Sequence, residues 1–188
     1  RLEPRQLRGG ACPERIRIAT TILEPALNDR VHRAHEADHT IGWMQSFRAF
    51  RIFSEDGKIA GRVVDASLDE LTAGDVLIKA EYSGVNYKDA LAATGTGGKI
   101  IRKYPLIGGI DVAGTVVSSE HASFTPGDRV LVTGYDLGVA HDGGYAGFVK
   151  TPAPWVVRIP DGLTSLEAMT FGTAGFTAGL AVVRLERN

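Results

Sequence analysis

The feature that most constrains the fold is a succession of short apolar segments separated by turn residues. Phe47–Phe53 and Lys58–Asp65 flank an Asp-Gly pair, which is typical of a tight hairpin turn. Further strands are predicted at residues 75–82, 110–119 and 129–133, in a segment that ends at Lys150, and at residues 155–159. Only one brief helix, at residues 86–94, interrupts them. Many short strands between Gly, Pro and Asp turns predict a mainly β chain that forms a partly open barrel.

A polar cluster, residues 81–92, lies where the strand at 75–82 meets that helix. Asn86 is a predicted N-cap, and Asp89 is placed three residues on to return a hydrogen bond. Tyr87, Lys88 and Asp89 then surround the start of the helix, where backbone N–H groups point outward. Such a place holds an anion or polarises a carbonyl group. An ordinary capped helix is an equally good interpretation of these residues alone.

A second helix is predicted from Thr164 onward, because Thr164-Ser-Leu-Glu167 has the pattern of a capping box. Its apolar surface comprises Leu166, Ala168, Met169, Phe171, Phe176, Leu180 and Val183. Glycines at positions 172, 175 and 179 permit a close approach of this backbone to a neighbouring group. Tight packing of helix against helix is one interpretation of this segment.

Composition excludes several classes of protein. The 188 residues suit one domain, or one domain and a fragment, and a hydrophobic content of 44% is ordinary for a soluble globular protein. The net charge of −1 gives no electrostatic case for binding nucleic acid or an anionic membrane. The single Cys12 excludes an internal disulfide and a cysteine-based zinc site. Because no uninterrupted apolar run approaches roughly 18 residues, we expect no membrane span and a cytoplasmic protein.

Residues 1–43 differ from the rest of the chain. They hold seven of the 21 basic residues, all arginine, together with six acidic residues that a transit peptide would avoid. His32, His35 and His39 have the spacing of one helix face, but no other metal-ligand cluster accompanies them. We therefore expect a disordered or non-native extension, with Met44 as the natural start.

Four motifs carry a resemblance to a known family. They are Tyr82-Ser-Gly-Val-Asn-Tyr-Lys-Asp-Ala-Leu-Ala92, Lys99-Ile-Ile-Arg102, Gly109-Ile-Asp-Val-Ala-Gly-Thr115 and Gly172-Thr-Ala-Gly-Phe-Thr-Ala178. The chain, from about Met44 to Leu185, resembles the zinc-free quinone oxidoreductase branch of the medium-chain dehydrogenase/reductase superfamily, and within it the acryloyl-CoA reductase type. The resemblance implies a GroES-like catalytic domain at residues 44–163, followed at residues 164–188 by a helical segment that leads to a Rossmann cofactor domain.

The resemblance also implies an activity and its residues. The activity is reduction of the C=C bond of an α,β-unsaturated carbonyl, an enoyl thioester or a quinone, with NADPH. Asn86 and Tyr87 are the candidates to stabilise the enolate oxygen, and Tyr87 is also expected to contact the cofactor. Thr173 is expected near the nicotinamide carboxamide, with Thr177 also in the cofactor site. Arg102 and Lys103 are candidates to bind the phosphates of a CoA thioester or of NADPH, although a solvated loop is the commoner role of such a pair. Tyr135, on a loop expected to line the cleft, is a further substrate-binding candidate.

Two absences leave an alternative open. No Gly-x-Gly-x-x-Gly follows a strand, so the dinucleotide-binding fingerprint is missing, and this chain alone is expected to be inactive. Zinc enzymes of the superfamily place a cysteine and a His-Glu pair where this chain has Asn86-Tyr87 and Gly109-Ile110-Asp111, so no metal is predicted. The alternative is a stand-alone β-barrel without activity. Its uncovered apolar surface, around Phe171 and Phe176, predicts either aggregation or self-association as a homodimer.

Overall fold

The computed structural model describes residues 46–96 and 98–187. The expectations about the extension at residues 1–43, the start at Met44, the histidines of that extension and Cys12 lie outside the described residues. The domain boundaries at residues 43 and 163 stay predictions.

A three-stranded antiparallel sheet begins the described part of the chain. It contains β1 (Phe47–Glu55), β2 (Lys58–Ala66) and β4 (Leu106–Ile107) in the order β2-β1-β4. Asp56 and Gly57 connect the first two strands with positive φ angles of 50° and 76°. A two-residue turn with both φ angles positive matches the twist of a hairpin, which is why an Asp-Gly pair forms it. The predicted hairpin is confirmed.

A five-stranded antiparallel sheet forms the larger part of the fold. Its strands are β3 (Val76–Tyr82), β5 (Asp111–Ser119), β6 (Arg129–Thr133), β7 (Phe148–Thr151) and β8 (Val157–Arg158), in the order β7-β3-β5-β6-β8. The side chains of one face make a core without solvent access that includes Val76, Ile78, Val112, Val130 and Val149. The β-branched residues that predicted the strands therefore also fill the core between them.

The segment 145–147 joins the two sheets. The N–H of Phe50 donates to the Tyr145 carbonyl at 2.8 Å, and the N–H of Gly147 donates to the Arg48 carbonyl at 3.1 Å. On its other side, the Gly147 carbonyl accepts from the N–H of Ala80 at 3.0 Å. These bonds continue the hydrogen bonding from one sheet to the next, as a partly open barrel requires. The predicted mainly β architecture is confirmed.

Two α-helices and two 3₁₀ turns complete the described residues. Helix α1 spans Tyr87–Thr94 and helix α2 spans Ser165–Glu186; the 3₁₀ turns are Leu68–Glu70 and Ala153–Trp155. The predicted capping box of α2 is confirmed, because Thr164 Oγ1 accepts from the N–H of Glu167 at 3.2 Å and the Glu167 carboxylate accepts from the N–H of Thr164 at 2.8 Å.

Two strands of the structure differ from what the sequence predicts. The prediction of one strand over residues 155–159 is wrong in extent, since the 3₁₀ turn of residues 153–155 begins this region and β8 has only two residues. A proline at the start of the turn favours it over a strand. Strand β4 was not predicted, because two residues are too short to show alternation.

Helix α2 is the most apolar helix of the described part of the chain. It is long and apolar enough to cross a membrane by length and composition alone, with a mean hydropathy of 1.3 over its best window. Helices of water-soluble proteins also meet that criterion, so the expectation of no membrane span stays a prediction.

Candidate active site

Asp111 is the residue on which the candidate site converges. It is the first residue of β5 and is 1% exposed. Its Oδ2 accepts from Asn86 Nδ2 at 2.8 Å and from the Thr173 N–H at 3.0 Å, and its Oδ1 accepts from Thr173 Oγ1. Three separate segments, the start of α1, the start of β5 and the middle of α2, therefore meet at one carboxylate.

Two glycines make room for this carboxylate. A Cβ atom on Gly84 would lie 3.0 Å from Asp111 Oδ2, and one on Gly172 would lie 2.9 Å from the same oxygen. Gly172 also has a φ of 47° and a ψ of −155°, which interrupt α2. A side chain at either position would push the Asp111 oxygen out of place. The glycine at position 172 thus serves the close approach that the sequence predicted, with a carboxylate as the neighbour.

Asn86 is fixed by its side chain and its backbone. It is the N-cap of α1, and its N–H donates to Asp89 Oδ2 at 2.8 Å, as the sequence predicted. Asp89 Oδ1 accepts a second bond from the N–H of Ile110 at 3.2 Å. Burial raises the pKa of Asp89, and the nearby charge of Asp111 raises it further, while the bond from Asn86 opposes the shift. The start of α1 is therefore anchored to the start of β5 through two buried carboxylates.

Tyr145 is a member of the site that the sequence did not assign. Its hydroxyl donates to the Gly84 carbonyl at 3.2 Å, and its ring lies edge-on to Phe50 at 6.3 Å. Burial raises the pKa of Tyr145, and the Asp89 carboxylate adds to the shift, so the phenol stays protonated. Its position in a Gly-rich segment, residues 143–147, was the only signal in the sequence.

Tyr87 follows Asn86 in the chain but, unlike Asn86, is largely exposed to solvent. It is the first residue of α1, and its side chain is 80% exposed. Because Asn86 is half-buried and Tyr87 is exposed, the two predicted catalytic residues present one held amide and one solvent-facing phenol at the same helix start.

The two predicted cofactor residues of α2 occupy consecutive turns of the helix. Thr173 donates its hydroxyl hydrogen to Asp111, and Thr177 donates its own to the Thr173 carbonyl at 2.8 Å. Each hydroxyl keeps its lone pairs for an incoming donor. The structure therefore brings Asn86 and Thr173 together through Asp111, with Thr177 one turn further along α2.

The predicted substrate-binding residues are exposed. Arg102 pairs with Asp136 at 3.0 Å, and Lys103 follows it on the surface. Tyr135 has a φ of 52° and stacks on Trp155 with ring centroids 5.2 Å apart. The structure connects Arg102 to the loop that carries Tyr135, through the residue next to Tyr135.

His141, which shares this loop, is buried and packs edge-on against Trp155 at 5.1 Å. Its two ring nitrogens lie 3.1 Å from the carbonyl oxygens of Ala73 and Asp142. These contacts give His141 a role in holding the loop. Across residues 46–96 and 98–187, no group of three or more His, Cys, Asp or Glu side chains is arranged to hold a metal ion.

Comparison with known proteins places this geometry in a family. A model of the alcohol dehydrogenase GroES-like domain matches residues 72–161. The putative quinone oxidoreductase YhfP of Bacillus subtilis is 49% identical over 142 residues, which make up 76% of this chain and 43% of YhfP. The acrylyl-CoA reductase AcuI of Ruegeria pomeroyi is 49% identical over 132 residues, 70% of this chain and 40% of AcuI.

Solved structures agree with these relatives. The structure of YhdH from Escherichia coli K-12 with bound NADPH has a TM-score of 0.72 at 46% identity and covers 74% of this chain and 43% of YhdH. The structure of Bacillus subtilis yhfP with NAD bound has a TM-score of 0.74 at 47% identity and covers 77% of this chain and 44% of that protein. The chain thus spans less than half the length of the relatives it matches.

The resemblance that the four sequence motifs carried is confirmed by the matched domain, by the identity to these relatives and by the shared fold. The chain belongs to the quinone oxidoreductase and acrylyl-CoA reductase group of the medium-chain dehydrogenase/reductase superfamily, of which it carries the GroES-like domain.

Proposed function

We propose that the chain is the catalytic domain of an NADPH-dependent oxidoreductase that reduces the C=C bond of an α,β-unsaturated carbonyl compound without zinc. Its substrate is an acryloyl-CoA-like enoyl thioester, an enone or a quinone. The observation that carries the proposal is the Asn86 amide, which Asp111 holds at the start of α1 beside the exposed Tyr87. The name of AcuI supports the enoyl thioester and the name of YhfP supports the quinone.

Asn86 has the donor that the reaction needs. Its Nδ2 carries two hydrogens and gives one of them to Asp111, so the second serves a ligand carbonyl. Conjugate reduction builds negative charge on that carbonyl oxygen. The Tyr87 hydroxyl adds a second donor from the next residue. Donors already oriented before the reaction stabilise such a charge without reorganising.

Thr173 and Thr177 fit the carboxamide of a nicotinamide through their acceptors. Both hydroxyl hydrogens are committed inside the protein, to Asp111 and to the Thr173 carbonyl. The oxygen lone pairs that remain accept from the N–H groups of an amide. NADPH would supply the hydride when bound. Tyr87, which is exposed beside Asn86 at the start of α1, is assigned to contact the cofactor as well as the substrate.

Arg102, Lys103 and Tyr135 are assigned to the substrate's far end. The positive charges of Arg102 and Lys103 suit the phosphates of a CoA thioester, although Arg102 already forms an ion pair with Asp136. The exposed ring of Tyr135, backed by Trp155, offers a planar surface to a nucleobase. This assignment is secondary to that of Asn86 and Tyr87.

The donor set at the expected ligand positions supports the proposal of a reaction without zinc. The start of α1 offers Asn86-Tyr87, and the start of β5 offers Gly109-Ile110-Asp111, so a single carboxylate stands where zinc requires several strong ligands. That carboxylate already accepts three hydrogen bonds, one from Asn86 and two from Thr173.

The same proposal places the protein in the cytoplasm as a homodimer with small-molecule substrates, and without nucleic acid or membrane partners. The single cysteine supports a cytoplasmic location, and the net charge of −1 supports the absence of nucleic-acid and membrane partners. The exposed rings of Phe171 and Phe176, each 60% exposed, support self-association.

A chimera tests the function, because the chain spans 43% of YhfP at 49% identity. Residues of this chain replace the matched part of YhfP, and NADPH oxidation is measured with acryloyl-CoA as acceptor. Asn86→Ala is expected to lower kcat by about a hundredfold or more, since removal of one oxyanion donor has that effect. Tyr87→Phe is expected to lower it as well, by removing the second donor. Tyr82→Phe is the matched control, because Tyr82 is a partly exposed tyrosine at the end of β3.

Equal turnover by the chimera and by Asn86→Ala would refute the role of the amide. A chimera that folds and binds NADPH but reduces no enone, quinone or enoyl thioester would refute the function and favour the non-enzymatic barrel.

A further inference from the structure

We propose that Asp111 is a positioning residue that fixes the orientation of the Asn86 amide and ties it to the break in α2; its relevance to catalysis rests on the function proposed above. Asp111 accepts hydrogen bonds from both Asn86 and Thr173 while its side chain is almost entirely buried.

The charge of Asp111 is compensated by donors alone. None of the ion pairs found among the described residues includes Asp111. A buried carboxylate without a cation is costly unless hydrogen bonds satisfy it. The Asn86 amide, the Thr173 N–H and the Thr173 hydroxyl provide those bonds. Removal of the carboxylate therefore releases three donors at once.

An ionised carboxylate can only accept, and this property sets the orientation of Asn86. Of the two ends of the amide, only Nδ2 makes a bond with Asp111; the Oδ1 end would meet it lone pair to lone pair. The amide consequently keeps its nitrogen at the site rather than its oxygen. A substrate carbonyl requires that orientation, because it needs an N–H and not a second acceptor.

Thr173 extends the same arrangement to α2. The non-helical backbone of Gly172 frees the Thr173 N–H from the helical hydrogen-bond pattern, and Asp111 accepts from it at 3.0 Å. A negative charge at this restarted helix N-terminus is favourable. Asp111 thus fixes the position of Asn86, at the start of α1, relative to Thr173, where α2 restarts after Gly172.

Asp142 provides a matched control elsewhere in the barrel. It is also buried, and its carboxylate also accepts three bonds at 2.9 Å each, from the N–H and hydroxyl of Thr72 and from the N–H of Ile107. Loss of either carboxylate removes a buried acceptor. Of these two carboxylates, only that of Asp111 accepts a hydrogen bond from Asn86.

Hydrogen exchange of the Asn86 side-chain NH₂, followed by NMR on the ¹⁵N-labelled 188-residue chain, tests the inference. The resonance is assigned by its disappearance in Asn86→Ser. In Asp111→Asn, exchange is expected to quicken by about tenfold or more, which corresponds to losing one hydrogen bond to a charged group. In Asp142→Asn, exchange at Asn86 is expected to stay unchanged although stability falls.

A second variant covers the case in which Asp111→Asn does not fold. Gly84→Ala places a methyl group 3.0 Å from Asp111 Oδ2 and displaces the carboxylate without removing it, so exchange at Asn86 is again expected to quicken. If the Asn86 side-chain amide exchanges as slowly as in the wild type in whichever of Asp111→Asn and Gly84→Ala folds, Asp111 does not position the amide and the inference is wrong.

A ligand-binding measurement distinguishes this inference from the proposed function. Butyryl-CoA, a saturated thioester that cannot be reduced, is added to the wild type, and a shift of the Asn86 resonance is expected. No shift would count against carbonyl binding at Asn86, while the exchange comparison would still decide the role of Asp111. A shift in the wild type and in Asp142→Asn that is lost in Asp111→Asn supports both.

Discussion

The five-stranded sheet and the distal half of α2, defined as residues 173–186, both carry large apolar side chains, but only those of the sheet are buried. Ile78 and Val130 of the sheet have no solvent exposure, whereas Phe176 and Leu180 of the distal half are 60% and 55% exposed. The sheet gains stability from burial, at about 25 cal/mol per Å² of apolar surface. The distal half has no such gain within the described residues and depends on its own helix propensity and on Asp111.

The proximal half of α2, residues 165–172, shows what burial adds. Ala168 and Met169 pack against Ala113 of β5 and Ile159 in a cluster of their own. Short helices without tertiary contacts are marginal in water. The comparison therefore places the boundary between the held part and the unsupported part of α2 at Gly172, where the backbone leaves the helical conformation.

The largest expected effect compares a buried and an exposed truncation. Ile78→Ala should lower the free energy of unfolding by about 2–5 kcal/mol, since it leaves a cavity in a packed core. Leu180→Ala, measured at a protein concentration low enough for the chain to be monomeric, should change it by no more than about 0.5 kcal/mol, as surface substitutions do. Urea unfolding of the two variants and the wild type measures both values.

A large loss in Leu180→Ala would break the comparison. It would mean that another molecule covers the distal half of α2 in solution. A stability that depends on protein concentration, lost in the variant, would then identify that molecule as a second copy of this chain.

A smaller effect is expected at the cap of α2. Thr164→Ala removes the hydroxyl that accepts from the Glu167 N–H and should cost about 1 kcal/mol. Thr170→Ala is the matched control: its hydroxyl donates to the Leu166 carbonyl within the helix, a bond that does not stabilise helices. The control should therefore be neutral or slightly stabilising in the same urea measurement.

An equal loss in Thr164→Ala and Thr170→Ala would show that the cap does not anchor the proximal half. The difference between the two halves of α2 would then rest on the packing of Ala168 and Met169 alone.

What the sequence predicted well has local causes. Asp56-Gly57 predicted the hairpin because both residues tolerate positive φ angles, and Thr164 with Glu167 predicted the start of α2 because capping needs residues only three positions apart. The N-cap role of Asn86 was predicted for the same reason. Such signals are complete within a few residues of chain.

What the sequence missed depends on contacts between distant residues. Asp111 lies in one of the four motifs, but it accepts from side chains 25 and 62 positions away, so no local pattern shows its role. The only role considered from the sequence was that of an insufficient metal ligand. Tyr145, whose hydroxyl reaches the carbonyl of Gly84, 61 positions away, was left without a role for the same reason. The candidate donor Asn86 was therefore found from its sequence, and the carboxylate that holds it was not.

The smallest expected effect is a pH dependence that separates the buried carboxylate of Asp89 from the half-buried, ion-paired carboxylate of Asp128. Burial raises the pKa of Asp89 above its ordinary 3.8, so the folded protein binds a proton more tightly than the unfolded chain. The free energy of unfolding that Asp89 contributes should therefore fall as the pH rises through the range just above 3.8. Asp89→Asn removes this titration, so the wild type should lose stability relative to the variant across that range.

Asp128 gives the opposite sign. The hydrogen bond and charge of Arg158 lower the pKa of Asp128, so its contribution is present above the ordinary value and is lost as the pH falls. Thermal unfolding of wild type, Asp89→Asn and Asp128→Asn at several pH values measures both slopes. Parallel curves for wild type and Asp89→Asn would mean that the start of α1 opens enough to hydrate Asp89. The rigid anchoring of Asn86 between two buried carboxylates would then be wrong.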